Sequence, residues 1–296
     1  MCYPGDSVGE ITTSDVSARP RLGRMAASST PPMHIADLQR LITRDPGRPR
    51  LTWYGEDGER VELSGAVLHN WVNKTVNLLV EEFDAAPGTR VLLDLPPHWR
   101  SIVWALATWR TGATLVLAPQ TDGSDGVGQA DATGQSLAAT SPGVDVVVTS
   151  RPGSWQGTDG QLVAVPLPAL ARRFDGDLPA GTIDAGSAVM TYGDQIGWVE
   201  EIDPGAPAIE SETTTVPHTD LFARAMPDTP AAGTRALVRS DDVLQLLQQV
   251  LSVLSVDGSV VVVSGATAAA WGADPDHLER LLRSERIDAP GGAPKR

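Results

Sequence analysis

Residues 87–118 read PGTRVLLDLPPHWRSIVWALATWRTGATLVLA, and the reading of this stretch decides the fold. Val91 to Leu95 is a short apolar run bounded by turn residues, the pattern of a strand covered on both faces. Arg100 to Arg110 sets Ile102, Val103, Leu106 and Trp109 at helical spacing, and Thr114 to Ala118 is apolar again. Strand, helix and strand at this interval predict a parallel βαβ unit.

Upstream, Ile35 to Ile42 has a short helical pattern. Arg50 to Tyr54 and Glu59 to Leu63 are strand-like runs joined by a turn at Asp57 and Gly58, which predicts a β-hairpin. Ser64 is an N-cap for a helix with Leu68, Trp71, Val72, Thr75, Leu78 and Leu79 on one face, ended by Ala86, Pro87 and Gly88. Downstream, Val144 to Thr149, Leu162 to Pro166 and Ala188 to Thr191 read as buried strands, with a short helix from Pro168 to Arg173. Helices are expected over His218 to Ala225 and Asp241 to Leu254, then a very apolar strand, Ser259 to Ser264. A last helix runs from Pro275 to Arg286, with Asp274 as its N-cap and Pro275 at its first position. The order of the strands does not follow from the sequence.

Three segments fall outside this alternation. Residues 1–32 are rich in Ser, Thr, Pro, Gly and Arg without a period and read as a disordered extension, with Met25 and Met33 as alternative starts to Met1. Residues 119–143 are too polar and too long for an ordinary connection and read as a mobile surface loop. Residues 288–296 read as a Pro and Gly-rich tail.

The composition narrows the function. The chain has 296 residues, 41% apolar, with eight Trp, enough for a substantial core. A net charge of −14 repels nucleic-acid phosphates and anionic lipid surfaces, so neither is an expected partner. No run of about 18 apolar residues and no secretory signal occur, which places the protein in the cytoplasm. The single cysteine, Cys2, excludes an internal disulfide and a cysteine-based zinc site. Lys74 and Lys295 are the only lysines beside 21 arginines, so any lysine chemistry must use one of them.

Several of these pieces together resemble a known family. Leu51-Thr52-Trp53-Tyr54, Leu63-Ser64 and the helix after them, Pro87-Gly88-Thr89-Arg90-Val91, Leu95-Pro96-Pro97-His98-Trp99, and Gly112-Ala113 are similar in order and spacing to the opening of AMP-forming acyl-CoA synthetases and their adenylating relatives. The likeness covers about 65 residues here, and the strings Asn70-Trp71-Val72-Asn73-Lys74-Thr75 and Leu95 to Trp99 resemble most a group of short actinobacterial relatives of those enzymes. The resemblance implies an α/β fold, a three-layer αβα sandwich with a mostly parallel sheet, preceded in the chain by the hairpin. It also implies that residues 33–287 form a shortened version of the N-terminal domain.

A second match begins at Asp203-Pro204-Gly205-Ala206-Pro207-Ala208-Ile209, which resembles the strand leading into the family's phosphate loop, T-S-G-T-T-G-x-P-K. On that pattern fall Ser211, Thr213, Thr214 and Pro217, while Glu212 and Thr215 replace glycines and His218 replaces the lysine. A second alignment shortens the loop and pairs His218 and Leu221 with the H-x-N-L segment beyond it. Either way the glycines that bring backbone N–H groups against phosphate are gone, and so is the cation. The resemblance therefore implies a weakened nucleotide site at Ser211, Thr213, Thr214, Thr215 and His218, with Mg-ATP or AMP as the cofactors to test and none assured. The family's Y-G-x-T-E motif, its ribose-binding aspartate and its catalytic lysine lie beyond the point where the match stops, so no catalytic residue is assigned. The implied roles are a binding or interaction module for a protein partner or a small adenylate-like ligand, or one part of a split adenylating enzyme completed by a partner chain.

His98 and Trp99 follow a strand end, the place where open α/β sheets bind ligands, and form a second candidate pocket beside the plainer reading that they start a helix. The five histidines show no metal-binding spacing, so no metal site is expected. No G-x-S-x-G occurs, and the glycines at 123, 126 and 128 sit in a polar loop without a following helix.

Overall fold

The computed structural model describes residues 31–118, 143–211, 213–225 and 230–288. Most of the expected extension 1–32, most of the loop 119–143, most of the tail, and Glu212 lie outside the described residues. In chain order the elements are α1 (Ile35–Ile42), β1 (Pro49–Tyr54), β2 (Arg60–Ser64), α2 (Gly65–Phe83), β3 (Arg90–Asp94), α3 (Trp99–Thr111) and β4 (Thr114–Leu117). There follow β5 (Val146–Thr149), β6 (Gln161–Ala164), β7 (Ile183–Asp184), α4 (Ala185–Ala188), β8 (Pro207–Glu210), β9 (Thr215–Pro217) and α5 (Leu221–Ala225). The last elements are β10 (Arg235–Arg239), α6 (Val243–Ser255), β11 (Ser259–Val263), α7 (Gly265–Gly272) and α8 (Pro275–Ser284).

These strands form two sheets among the described residues. The larger has the order β7-β6-β5-β3-β4-β8-β9 and is parallel except for the β8–β9 pair. The smaller has the order β10-β11-β1-β2, with β10, β11 and β1 parallel. The expected hairpin is present as β1–β2, with Trp53 opposite Val61, but β1 is also hydrogen-bonded along its other edge to β11. A pairing between residues about 200 apart leaves no local trace, so the sequence shows the hairpin and not the sheet it belongs to.

Helices fill the space between the sheets. Helix α3 touches β3 and β4 of the larger sheet and β1 of the smaller, while α2 packs on β1 and β2 and α6 on β10 and β11. This explains why α3 is buried nearly all round rather than on one face, with Trp99, Trp104 and Trp109 all within the core. Trp109 Nε1 donates to the Ala208 carbonyl at 2.8 Å, so burying this indole leaves no unmet donor. The helix stops at Gly112, whose φ of 82° is the left-handed C-cap that glycine adopts without strain. A second apolar cluster, Leu92, Val116, Val144, Val147, Trp155 and Leu162, covers the other face of the larger sheet.

Two expectations need correction, and a third, the helix from His218, is refined. Residues 168–173 form no helix, and Leu170 is 93% exposed, so this segment has no apolar face to bury. Ala188 to Thr191 is not a strand; Asp184 accepts from the Gly186 N–H at 2.8 Å and caps α4, which runs on into a 3₁₀ turn over Val189–Thr191. His218 to Ala225 is a 3₁₀ turn, His218–Asp220, followed by α5. Strand β10 and helix α7 give no sequence signal, since β10 is mostly half-exposed and α7 buries no residue. Among the described residues no helix is long and apolar enough to cross a membrane.

Candidate functional site

The carboxyl ends of β3, β4, β5 and β8 open on one side of the larger sheet, where parallel α/β sheets place their ligand crevices. Facing them is the turn between β10 and α6. Between the two lies a cleft of about 570 Å³, lined by Leu93, Leu95, Pro96, Leu117 and Leu244 on its apolar side. Its polar side carries Asp94, Ser150, Arg151, Ser211, Thr213, Asp241 and Asp242.

Asp94 ends β3 and is buried. Its carboxylate accepts from Thr149 Oγ1 at 2.6 Å, Trp155 Nε1 at 2.7 Å, and Arg151 through Nε at 3.0 Å and Nη2 at 2.7 Å. This fork-shaped pair fixes the guanidinium at the mouth of the cleft, and hydrogen bonding to Asp94 raises the Arg151 pKa further. The positive charge of Arg151 is thus already matched by Asp94. Across the cleft, Asp242 caps α6 by accepting from the Gln245 N–H at 2.6 Å. Asp241 lies against the start of α7, where a Cβ on Gly265 would come within 2.1 Å of its Oδ1. Among the described residues neither Asp241 nor Asp242 has a cationic partner, so the cleft carries an excess of negative charge.

Of the residues expected from the phosphate-loop match, Ser211 and Thr213 line this cleft. They belong to a tight connection between β8 and β9. The Ser211 N–H donates to the Thr214 carbonyl at 2.9 Å, and the Thr214 N–H donates to Ser211 Oγ at 3.1 Å. The turn therefore closes on itself, and two of its N–H groups already have acceptors. Glu210, at the end of β8, is held by Arg90 Nη2 at 2.7 Å. Thr215 is an exposed residue of β9. His218 does not line the cleft; its buried ring bonds through Nε2 to the Gly112 carbonyl at 3.1 Å, and burial lowers its pKa. A neutral ring bonded to a carbonyl does not replace a lysine cation.

His98 and Trp99 are not lining residues of the cleft either. His98 caps α3 by accepting from the Arg100 N–H at Nδ1, 3.2 Å away, and meets the Trp53 ring edge-on with centroids 4.6 Å apart. Burial, aided by the nearby Arg100 charge, lowers its pKa to about 3 and keeps the ring neutral. Trp99 lies against Trp71, with centroids 5.3 Å apart. Lys74 donates to the Tyr192 carbonyl at 2.5 Å, and Asn73 and Asn77 bond to the carbonyls of Asp194, Gly193 and Gln195. The Asn73–Asn77 face of α2 thus clamps an irregular strap, residues 192–197. Among the described residues no group of three or more His, Cys, Asp or Glu side chains is placed to hold a metal ion.

Asp94, Arg151, Asp241 and Asp242 were not anticipated from the sequence, although Asp94 and Arg151 carry a visible signal, a charged residue at the end of an apolar run. No family model matches the chain. Solved structures with a similar fold include an acetoacetyl-CoA synthetase from Streptomyces lividans, 14% identical, TM-score 0.59, covering 78% of this chain and 38% of that one. An amide bond synthetase from Marinactinospora thermotolerans is 16% identical with a TM-score of 0.57, covering 86% and 47%. A Brucella canis acyl-CoA synthetase is 19% identical with a TM-score of 0.61, covering 83% and 48%. The architecture is therefore that of the AMP-binding domain fold, and the chain spans less than half the length of these synthetases. A TIGR03089 family protein from Mycobacterium tuberculosis is 32% identical over 255 residues, which make up 85% of this chain and 95% of that protein. At that identity and coverage, the chain belongs to the TIGR03089 family.

Proposed function

We propose that this protein is a binding module on an AMP-binding domain fold, without adenylating activity of its own, and that its ligand occupies the cleft between the sheets. The observation that carries this reading is the closed turn from Ser211 to Thr214, which stands where the family's resemblance puts a phosphate loop. The lining residues do not fit a nucleotide triphosphate. Among the described residues the cleft offers one cation, Arg151, already paired with Asp94, and it faces the carboxylates of Asp241 and Asp242. Each unit charge at about 4 Å costs an opposing phosphate roughly 1 kcal/mol even at the dielectric of water. A ligand with little or no net charge, apolar on one side and hydrogen-bonding on the other, suits the lining better, as an acyl or adenosine-like group would.

The test is a thermal-shift titration with Mg-ATP, AMP and a nonhydrolysable acyl-adenylate mimic, run beside an ATP–pyrophosphate exchange assay with a panel of carboxylic acids. A ligand at 100 times its Kd adds about 2.7 kcal/mol, which for a domain of this size raises Tm by roughly 5–10 °C. We expect such a rise with the adenylate mimic, little with Mg-ATP, and no exchange. Exchange by the purified chain alone removes the proposal, and a flat response to all three ligands removes its ligand.

A second reading, one part of a split adenylating enzyme, is favoured by the span of less than half of the solved synthetases. It requires a partner chain that copurifies and restores exchange. Purification from the native cell without such a chain counts against it.

A further inference from the structure

Away from the cleft, the start of α3 holds a buried cation without an anion. Arg100 is 5% exposed, and its guanidinium lies 4.4 Å from the Trp99 ring centroid and 5.5 Å from that of Trp71. Among the described residues it forms no ion pair, and its one hydrogen bond, from Nη2 to the Pro168 carbonyl, is long at 3.5 Å. Its Nε has no acceptor. The acidic group that acts on it is Glu59, whose Oε1 accepts from the Ala169 N–H at 2.7 Å and whose Oε2 lies 3.4 Å from Trp53 Nε1. The neighbouring Trp99, 2% exposed, also has an indole N–H with no acceptor.

Both residues line one small recess of about 10 Å³, closed by Trp71, Thr75, Val103 and Trp104. Room of this order holds a single water or a single monatomic ion. The recess has two residues with unused N–H donors, one of them a cation, and no carboxylate among its lining. Thr75 already directs its hydroxyl proton to the Trp71 carbonyl at 2.9 Å. A buried charge without a counter-charge is costly, and stacking on two indoles offsets only part of that cost.

We propose that this recess is an anion site, in which one chloride-sized ion accepts from Arg100 and Trp99 and neutralises the buried guanidinium. The size of the recess excludes an organic anion, and the surplus of donors over acceptors excludes a cation. The lowering of the Arg100 pKa to about 10 by burial is the direction that an unneutralised site gives. The inference is independent of what occupies the larger cleft.

The test uses the full chain at constant ionic strength, with sodium gluconate replaced stepwise by sodium chloride or bromide, so that general screening is unchanged. We expect a saturable rise in Tm, about 3–6 °C when the ion stands at ten times its Kd. Arg100→Met should abolish the rise. Trp99→Phe keeps an aromatic face for Arg100 and removes the indole N–H, and should raise the halide Kd about tenfold, as follows when one hydrogen bond to a charge, worth about 1.4 kcal/mol, is lost. Crystals grown with bromide should show an anomalous peak in the recess. A wild-type Tm indifferent to halide means that water fills the recess and overturns the proposal, as does an equal rise in Arg100→Met. If Arg100→Met does not fold, the bromide peak decides, and its absence overturns the proposal.

Discussion

Replacing Asp94 with Ala should cost this fold several kilocalories, and the structure says where they come from. Four donor groups from three side chains converge on the carboxylate: Thr149 Oγ1, Trp155 Nε1, and the Nε and Nη2 of Arg151. Thr149 and Trp155 are fully buried, whereas the Arg151 side chain is 41% exposed and returns to water. Each stranded buried donor costs about 1–3 kcal/mol, so the two together give roughly 2–6 kcal/mol. The lost ion pair adds little, because its cation is solvated. Urea unfolding measures the loss directly, and at about 2–4 °C per kcal/mol for a domain of this size the fall in Tm is roughly 10 °C. The mechanism also requires coupling: in a double-mutant cycle with Trp155→Phe, the two changes should fall short of additivity by about 1 kcal/mol or more, because they remove the same hydrogen bond. A loss below about 1 kcal/mol for Asp94→Ala, or strict additivity in the cycle, refutes this account of the network.

Two further outcomes follow from the site geometry. His98 has a pKa of about 3 in the fold against about 6.5 when unfolded, so between these values the unfolded chain binds the extra proton. Stability is complete above about pH 6.5 and falls by about 1.4 kcal/mol per unit as pH drops toward 3, or about 2 kcal/mol by pH 5. His98→Asn, which keeps a capping side chain, should flatten that slope in pH-dependent urea titrations, and an unchanged slope would remove His98 as its source. Asn77 holds the 192–197 strap by donating to the Gly193 and Gln195 carbonyls at 3.0 and 2.8 Å and accepting from the Gly197 N–H at 3.3 Å. Asn77→Ala should speed chymotryptic cleavage at Tyr192 or Trp198 about tenfold or more, since two to three bonds at about 1 kcal/mol each are lost locally. Equal cleavage rates would mean that the strap is held by something else.

The fold was legible where burial writes itself into local pattern. The run Val91 to Leu95, the helix from Arg100 and the strand Ser259 to Ser264 are apolar because both faces are covered, and each stands within a residue or two of where the pattern puts it. Strand β10 and helix α7 were missed for the opposite reason. Arg235–Arg239 begins and ends on arginines at a sheet edge, and Gly265–Gly272 is alanine-rich without a buried residue, so neither carries an apolar period. The union of the hairpin with β11 was beyond reach, because Leu51 pairs with Val260 through a contact with no local correlate.

The site divides along a similar line. Position after a strand end selected His98 and Trp99, since open α/β sheets bind ligands there. What places them in the core is the helix start: once Trp99 begins α3 and α3 lies between two sheets, its ring must be buried, and His98 is left to cap the first turn. Asp94 and Arg151 had the better signal. An ionisable residue closing an apolar parallel strand, as in Arg-Val-Leu-Leu-Asp and Val-Val-Val-Thr-Ser-Arg, stands at the carboxyl edge of the sheet, where its charge can be tolerated only if it faces a crevice or a partner. Asp94 at the end of β3 and Arg151, two residues past the end of the neighbouring β5, serve as each other's partner. Marking each residue needs only the strand boundaries, which are readable here; that β3 and β5 are neighbours comes from the structure, as does the second sheet on which the roles of His98 and Trp99 depend.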